Sequence, residues 1–359
     1  MLNAKINSWD GQKLHIGLDV HKKSWTVTIL GPHYEHKTFS QNPDPQMLAR
    51  YLEKNFPGGE YYSVYEAGYN GYWISKKLKE LGIHNVIVNP ADVPTTHKEE
   101  DNKNDEVDSR KLAHSLQSGD LTGIYEPSDY CLSVRQVVRQ RGQLVKELAR
   151  EKNRLKSFLA FIGRPIPDRF NQTETRQWSR RYIQWLEEQG FSDQGNKMVL
   201  ESKIRIVQGL RKELLQINQQ IRQLSREPNY RQDVELLMTI PGIGLITAMT
   251  MLTELNPIDQ YKTLDQLNKY VGLVPRIRSS GESAYIGRMT IRGQRRIKEK
   301  LIESSWVLIR KDPAMMLKFE QLSKRMQKNK AIIRIARKLL SRIRRILLTQ
   351  EPYVTGVSK

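Results

Sequence analysis

The chain has one cysteine, Cys131, in 359 residues. A single thiol excludes an internal disulfide and any cysteine-clustered zinc site, and it suits a reducing cytosol, with Cys131 read as a small packing residue. Long apolar runs are also missing: no stretch approaches the roughly 18 residues that a membrane span needs. The start, MLNAKINSWDGQK, lacks the apolar core of a signal peptide, so the expectation is a cytoplasmic protein without a membrane partner. Acidic residues are scarce in one region. The 58 residues from Arg288 to Arg345 hold four of them against 19 Lys and Arg. A small-molecule enzyme has no evident use for such a field, whereas a polyphosphate partner does, because each neutralised phosphate releases counterions. Nucleic acid is therefore the leading partner class.

The rest of the composition is that of a globular protein, 38% hydrophobic and 27% charged, with length for two or three domains. Its net charge of +20 is unevenly placed: residues 1–128 carry 14 basic and 17 acidic side chains. Charge and pattern together divide the chain into 12–128, 129–226 and 227–349.

In the first region, residues 14–30 read as two strands around the turn His21-Lys22-Lys23, followed by a strand at His36–Ser40. A helix over Pro43–Phe56, a strand at Tyr61–Glu66, a helix over Tyr72–Leu81 and a strand at Asn85–Asn89 come next, and a last helix runs from near Asp105 to Leu116. An antiparallel start followed by βαβ units predicts a mixed sheet flanked by helices. Asp19 and Glu66 close strands, while Asp105 and Asp108 share one face of a helix's first turn. Four such carboxylates can converge on hard divalent cations, which in pairs stabilise the attacking and leaving oxygens of a phosphodiester. Taken singly, Asp105 and Asp108 are also what the helix dipole favours. His15 shares the Asp19 face and reads as a packed strand histidine, and His21 lies beyond the strand in the turn.

The middle region has two heptad-like tracts: Val134, Val138, Val145, Leu148, Leu155, Leu159 and Ile162, then Val207, Leu210, Leu214, Ile217, Ile221 and Leu224. Arg141 and Lys152 interrupt the first. Pro165, Pro167, Gly190 and Gly195 between the tracts let the chain reverse. Both an intramolecular helical hairpin and subunit assembly fit this pattern. From Arg135 to Lys156 the first tract holds eight basic and two acidic residues, a face suited to a nucleic-acid backbone.

In the third region, Leu236–Leu252 reads as a helix-hairpin-helix around Pro241-Gly242-Ile243-Gly244, whose glycines let the backbone approach a phosphate. Ser279-Ser280-Gly281 reads as a loop, with Arg276 and Arg278 before it and Arg288, Arg292, Arg295 and Arg296 after it. Neighbouring guanidiniums can hold a scissile phosphate, and a serine there can attack it.

Six motifs stand in order along the chain: Gly17-Leu-Asp-Val-His-Lys22, Tyr65-Glu-Ala-Gly68, Asn89-Pro90, Lys103-Asn-Asp-Glu-Val-Asp108, Ile240-Pro-Gly-Ile-Gly244, and Gly272-Leu-Val-Pro275 with Ser280-Gly281 and Gly287. In order and spacing the sequence resembles the IS110/IS1111 family of transposases over nearly its whole length. The resemblance implies an RNase H/RuvC-like mixed-sheet domain whose DEDD acids, Asp19, Glu66, Asp105 and Asp108, bind Mg2+ or Mn2+. It implies a coiled-coil linker and a mostly helical C-terminal domain with Ser280 as nucleophile. It further implies recombination of donor and target DNA through a covalent phosphoserine, directed by a structured bridge RNA, in a homo-oligomer that is a tetramer when active. The sequence departs from the family at Asn104, usually Thr, and at Ser109, usually Ala. A second reading of the same residues is a metal-dependent nuclease of the Holliday-junction type, in which the acids activate water and the serine loop only binds.

Overall fold

The computed structural model describes residues 9–356 except 33, 95–103, 172–177, 192, 281–282 and 291, and for 171, 276–280 and 283–288 it describes the backbone alone. The chain divides between Glu126 and Pro127 into two compact units.

The first unit is a five-stranded mixed sheet. Strands β1 (Lys13–Val20), β2 (Trp25–Leu30) and β3 (Glu35–Gln41) form an antiparallel meander, and β4 (Glu60–Glu66) and β5 (His84–Val88) add in parallel on the other side of β1, giving the order β3-β2-β1-β4-β5. Each parallel crossover carries a helix, α1 (Pro45–Asn55) between β3 and β4 and α2 (Trp73–Glu80) between β4 and β5. Pro45 at the first helical position and the Asp44 side chain, which accepts from the Gln46 amide, start α1. The elements expected from the sequence are present, and strand order and helix placement fit a RuvC-like α/β domain.

The last helix of this unit, α3 (Asp105–Ser118), is capped by Asn104, whose side chain accepts from the Val107 amide, and ends at Gly119 in the left-handed conformation. Asn104 thus does the capping work that a threonine would do there. Helix α3 packs on β1, β2 and β4. Leu112 joins Val64, Val88 and Val93 in a small core on this face, while Leu14, Ile16, Leu18, Leu48, Leu52 and Ile74 fill the larger core on the other.

In the second unit α4 (Asp129–Phe161), after the short helices α5 (Asp168–Asn171) and α6 (Arg180–Glu187), is joined by α7 (Gln194–Leu224). Val134, Val138 and Leu144 share a core with Ile217 and Ile221, whereas Leu148, Leu155 and Leu159 pack with Leu200, Ile204 and Val207. The start of one helix therefore meets the end of the other, which makes an antiparallel hairpin within the chain. Arg141 donates to the Asn218 side chain at 2.9 Å, and Lys152 sits over the Trp178 ring at 5.0 Å, so both heptad interruptions have polar or aromatic partners. One heptad expectation is corrected: Val145 is exposed and Leu144 is buried in its place. An α-helix drifts against a strict seven-residue repeat, and four residues separate Leu144 from Leu148, so they share a side.

The remainder is α8 (Arg231–Met238), α9 (Leu245–Leu255), α10 (Leu264–Val271), a two-stranded ribbon of β6 (Pro275–Ser280) and β7 (Ser283–Met289), then α11 (Arg295–Lys311), α12 (Pro313–Ser323) and α13 (Lys328–Thr349). Ile335, Ala336, Leu339, Leu340 and Ile343 give α13 an apolar stripe against α11, α12 and α8. Ser279 and Ser280 end a strand, which corrects the expected loop. The stretch has β-branched and aromatic residues, Ile277, Tyr285 and Ile286, on either side of Gly281-Glu282, the composition of a hairpin. Among the described residues no helix is long and apolar enough to cross a membrane.

Candidate active site

Strand pairing places two of the acids. Leu18 stands beside Tyr65 in the parallel register of β1 and β4, so the next residues, Asp19 and Glu66, lie at adjacent strand ends, about 4.8 Å apart across the sheet. Both belong to the face covered by α3, because Asp19 alternates with Gly17 and Glu66 with Val64. The carboxyl end of adjoining parallel strands is the usual place for a ligand in such sheets.

Gly17 brings the other two acids there. A Cβ at this position would stand 1.9 Å from the Ser109 carbonyl oxygen and 2.6 Å from the Ala113 nitrogen, so only glycine lets α3 rest directly on β1. The buried Ser109 hydroxyl hydrogen-bonds the Thr28 hydroxyl at 2.8 Å, and Thr28 in turn reaches Thr38 at 2.9 Å. A serine where the family usually has alanine therefore ties α3 to β2. With the helix fixed, Asp105 and Asp108 in its first turn point at the end of β1.

The residue that sequence reasoning undervalued is His21. Its Nε2 donates to Asp19 Oδ2 at 3.1 Å and lies 3.6 Å from Asp105 Oδ1, and ligand atoms of Asp19, His21 and Asp105 all fall within 4.8 Å of one another. The signal was its place two residues after Asp19, where a tight turn folds the ring back over the strand end. Asp108 and Glu66 stand outside that tightest group; Lys111 pairs with Asp108 at 3.3 Å. Burial pushes the Asp19 carboxyl above its ordinary value; His21 pulls it down, and the negative charges of Asp105 and Asp108 push it up again. A half-buried carboxylate crowded by the negative charges of two others is one that a hard divalent cation would relieve, so the residues present fit Mg2+ or Mn2+.

The candidate groups of the second unit occupy different elements. Gly242, with φ +93°, is packed against α11: a Cβ there would meet the Ser304 carbonyl oxygen at 2.6 Å and Val307 at 2.9 Å. Its need for glycine is thus explained by helix packing. Gly244 is exposed and stands at the N-cap of α9, so no side chain caps the first amides of that helix. Ser280 is the last residue of β6, opposite Ser283, and Arg276 and Arg278 lie on the same strand; Arg288 is on β7. Gly281 lies outside the described residues, as do the side chains of Ser280, Arg276, Arg278 and Arg288.

The base of this ribbon is clamped by two glycines. Gly272 (φ +80°) ends α10 and Gly293 (φ +111°) precedes α11, and a Cβ on Gly293 would lie 2.6 Å from the Gly272 Cα. Thr290 N–H donates to Val274 and Gln294 N–H to Tyr270, closing the same base. Arg292, Arg295 and Arg296 are exposed just beyond it. Arg295 pairs with Glu299 at 2.6 Å, and Arg296 has no acidic partner among the described residues. Both stand in the first turn of α11, where the helix dipole disfavours cations, so their placement is better suited to an external anion than to helix stability.

Two family models match the chain. Residues 16–163 match a transposase family model of the DEDD IS110 type, and residues 234–320 match the model described as Transposase IS116/IS110/IS902 family. The y4qE protein of Sinorhizobium fredii is 29% identical over 246 residues, a match spanning 68% of this chain and 58% of that protein. The transposase for insertion sequence element IS1533 of Leptospira borgpetersenii is 25% identical, covering 68% of this chain and 70% of its own. The transposase for insertion sequence element IS1111A of Coxiella burnetii is likewise 25% identical, covering 77% and 74%. Matches at both ends, over the acid-bearing sheet and over the region with the serine ribbon, place the chain in the IS110 family of transposases.

Proposed function

We propose that this chain is a DNA recombinase that moves an insertion sequence by RNA-guided strand cleavage and exchange between donor and target. The observation that carries the reading is the meeting of Asp19, Asp105 and His21 at the end of β1, with Glu66 on the neighbouring strand end and Asp108 in the same helical turn, in a member of a transposase family. Asp19, Glu66, Asp105 and Asp108 hold Mg2+ or Mn2+. When bound, the ion supplies neutralisation of the phosphate's developing charge. His21 fixes the orientation of the Asp19 carboxylate.

The Ser280 oxygen attacks the scissile phosphorus; a Ser–O–P bond forms, the P–O bond to one strand breaks, and the departing oxygen takes up a proton as a hydroxyl. A hydroxyl end from the other duplex then attacks the phosphoserine, releasing the serine and restoring a phosphodiester without net hydrolysis. Arg276, Arg278, Arg288 and Arg292 hold the phosphate, and Gly244, Arg295 and Arg296 serve the flanking backbone. The acids belong to the first unit and Ser280 to the second, which accords with a tetramer in which one protomer's acids serve another's serine. Sequence choice is made by a structured bridge RNA through base pairing, and the surplus of positive charge suits a protein holding RNA and two DNA segments.

The test is a denaturing gel of protein, RNA and labelled donor and target DNA. Wild type should give a protein-linked strand, and Ser280→Ala none, with RNA and DNA binding retained. Hydrolysed ends with no linked strand in wild type would establish the nuclease reading instead.

A further inference from the structure

One face of the α4–α7 hairpin has no part in the reaction above. Arg150, Asn153, Arg154, Phe158 and Phe161 recur along α4 at helical spacing, next to its buried stripe, and with Lys203 of α7 they line an open groove of about 650 Å³. Phe161 is 87% exposed, a placement that core packing does not explain. Lys203 lies 5.9 Å from the Phe158 ring, Arg154 pairs with Glu151, and Arg150 forms no ion pair among the described residues. Among the described residues no acid lines the groove.

Cations interleaved with an exposed ring are what unpaired nucleotides need: phosphates pair with the cations, and a free base stacks on the ring. A duplex keeps its bases stacked on one another and offers nothing to Phe161. We propose that this groove binds an unpaired stretch of RNA, with a base stacked on Phe161 and phosphates held by Arg150 and Lys203. The proposal rests on the RNA-guided reading for its choice of RNA, since the DNA in that reaction arrives as duplex whereas a structured RNA retains unpaired loops.

The experiment measures fluorescence anisotropy of the full-length protein, freed of copurified RNA, with a labelled single-stranded RNA, single-stranded DNA of the same sequence, and the DNA duplex. Phe161→Ala should weaken RNA binding by about five-fold or more, as loss of one stacked base does, and Phe161→Trp should retain it. Arg150→Gln with Lys203→Gln should lower the salt slope by about 1.4, the value for two phosphates on a single strand. Duplex affinity and thermal melting should not change. Unchanged RNA affinity and slope in these variants would overturn the proposal, as would equally tight, equally Phe161-dependent binding of single-stranded DNA. Loss of self-association in Phe161→Ala with RNA affinity intact would assign the groove to a second copy of the chain and also overturn it. A DNA adduct formed by a Phe161→Ala protein with unaltered RNA binding would sink this site and leave the recombinase standing. Phe161-dependent RNA binding by a wild type that never forms an adduct would do the reverse.

Discussion

Gly17 and Ser109 are in backbone contact: a single methyl on Gly17 would fall 1.9 Å from the Ser109 carbonyl oxygen. That contact sets the height of α3 over the sheet, and with it the position of Asp105 and Asp108 relative to Asp19. Gly17→Ala should therefore displace the helix and cost at least about 1–3 kcal/mol, the usual range for overpacking. Thermal melting should show the loss, and activity should fall further than stability because the acids no longer meet. Ser109→Ala, which removes one hydroxyl from a pair whose partner Thr28 keeps Thr38, should cost only about 0.5–1.5 kcal/mol.

Glu254 on α9 is 3% exposed and takes a two-pronged contact from Arg139, 2.7 Å at each oxygen, with Arg135 at 3.9 Å from it and donating to the Thr253 carbonyl oxygen at 2.6 Å. These bonds tie the long helix α4 to the helix that follows Gly244. Glu254→Ala leaves buried Arg135 without its carboxylate, and removing one partner of a buried pair costs about 3–5 kcal/mol. Urea unfolding should show a loss in that range; a change below about 1 kcal/mol would mean that the pair is solvated and weak.

Asp312 is buried where α12 begins, and it accepts from the Tyr353 hydroxyl and from the Met315 and Gly356 amides. Burial pushes its carboxyl up, but these bonds outweigh burial and hold it below its ordinary value. A depressed carboxylate contributes stability that is present above the ordinary value, near 3.8, and is lost as pH falls through the lower folded one. Tyr353→Phe should return Asp312 toward its ordinary value, so the variant should be less stable than wild type well above that value, and the difference between the two should shrink as pH falls through it. The Tyr353 hydroxyl is itself pushed up by burial and by Asp312, so its contribution is present below the ordinary tyrosine value and fades only as pH rises past it. Melting temperature against pH, from 3 to 7, checks the acid arm.

Mg2+ should raise the melting temperature of the wild type in proportion to ln(1 + [Mg2+]/Kd), and chelation should reverse it. Asp19→Asn and Asp105→Asn should each abolish the increase. His21→Ala should reduce it less, since the ring orients a carboxylate already in place. A Mg2+ response unchanged in Asp19→Asn would remove the ion from this end of β1.

Much of the first unit was legible because its elements obey simple periods and its acids sit at their ends. Asp19 and Glu66 close strands that pair in parallel, which the βαβ pattern implies, and Asp105 and Asp108 follow a capping asparagine. What the sequence could not reveal depends on contacts between distant segments. The role of Gly17 requires knowing that α3 crosses β1, and that of His21 requires the tightness of the turn after Val20. Gly242 looked like a phosphate-binding glycine because a Pro-Gly turn between apolar helices has that composition whether it faces a ligand or, as here, the backbone of α11. Val145 was misplaced because one residue of drift on a helix moves a side chain about 100° around it.

The most direct test of the central claim is peptide mass spectrometry of the protein–DNA adduct trapped with wild-type protein, its RNA, divalent ion and DNA. A nucleotide phosphoester on Ser280, absent from Ser280→Ala and present in Ser279→Ala, is the expected result. An adduct on Ser279 or elsewhere, or products bearing only hydrolysed ends, would contradict it.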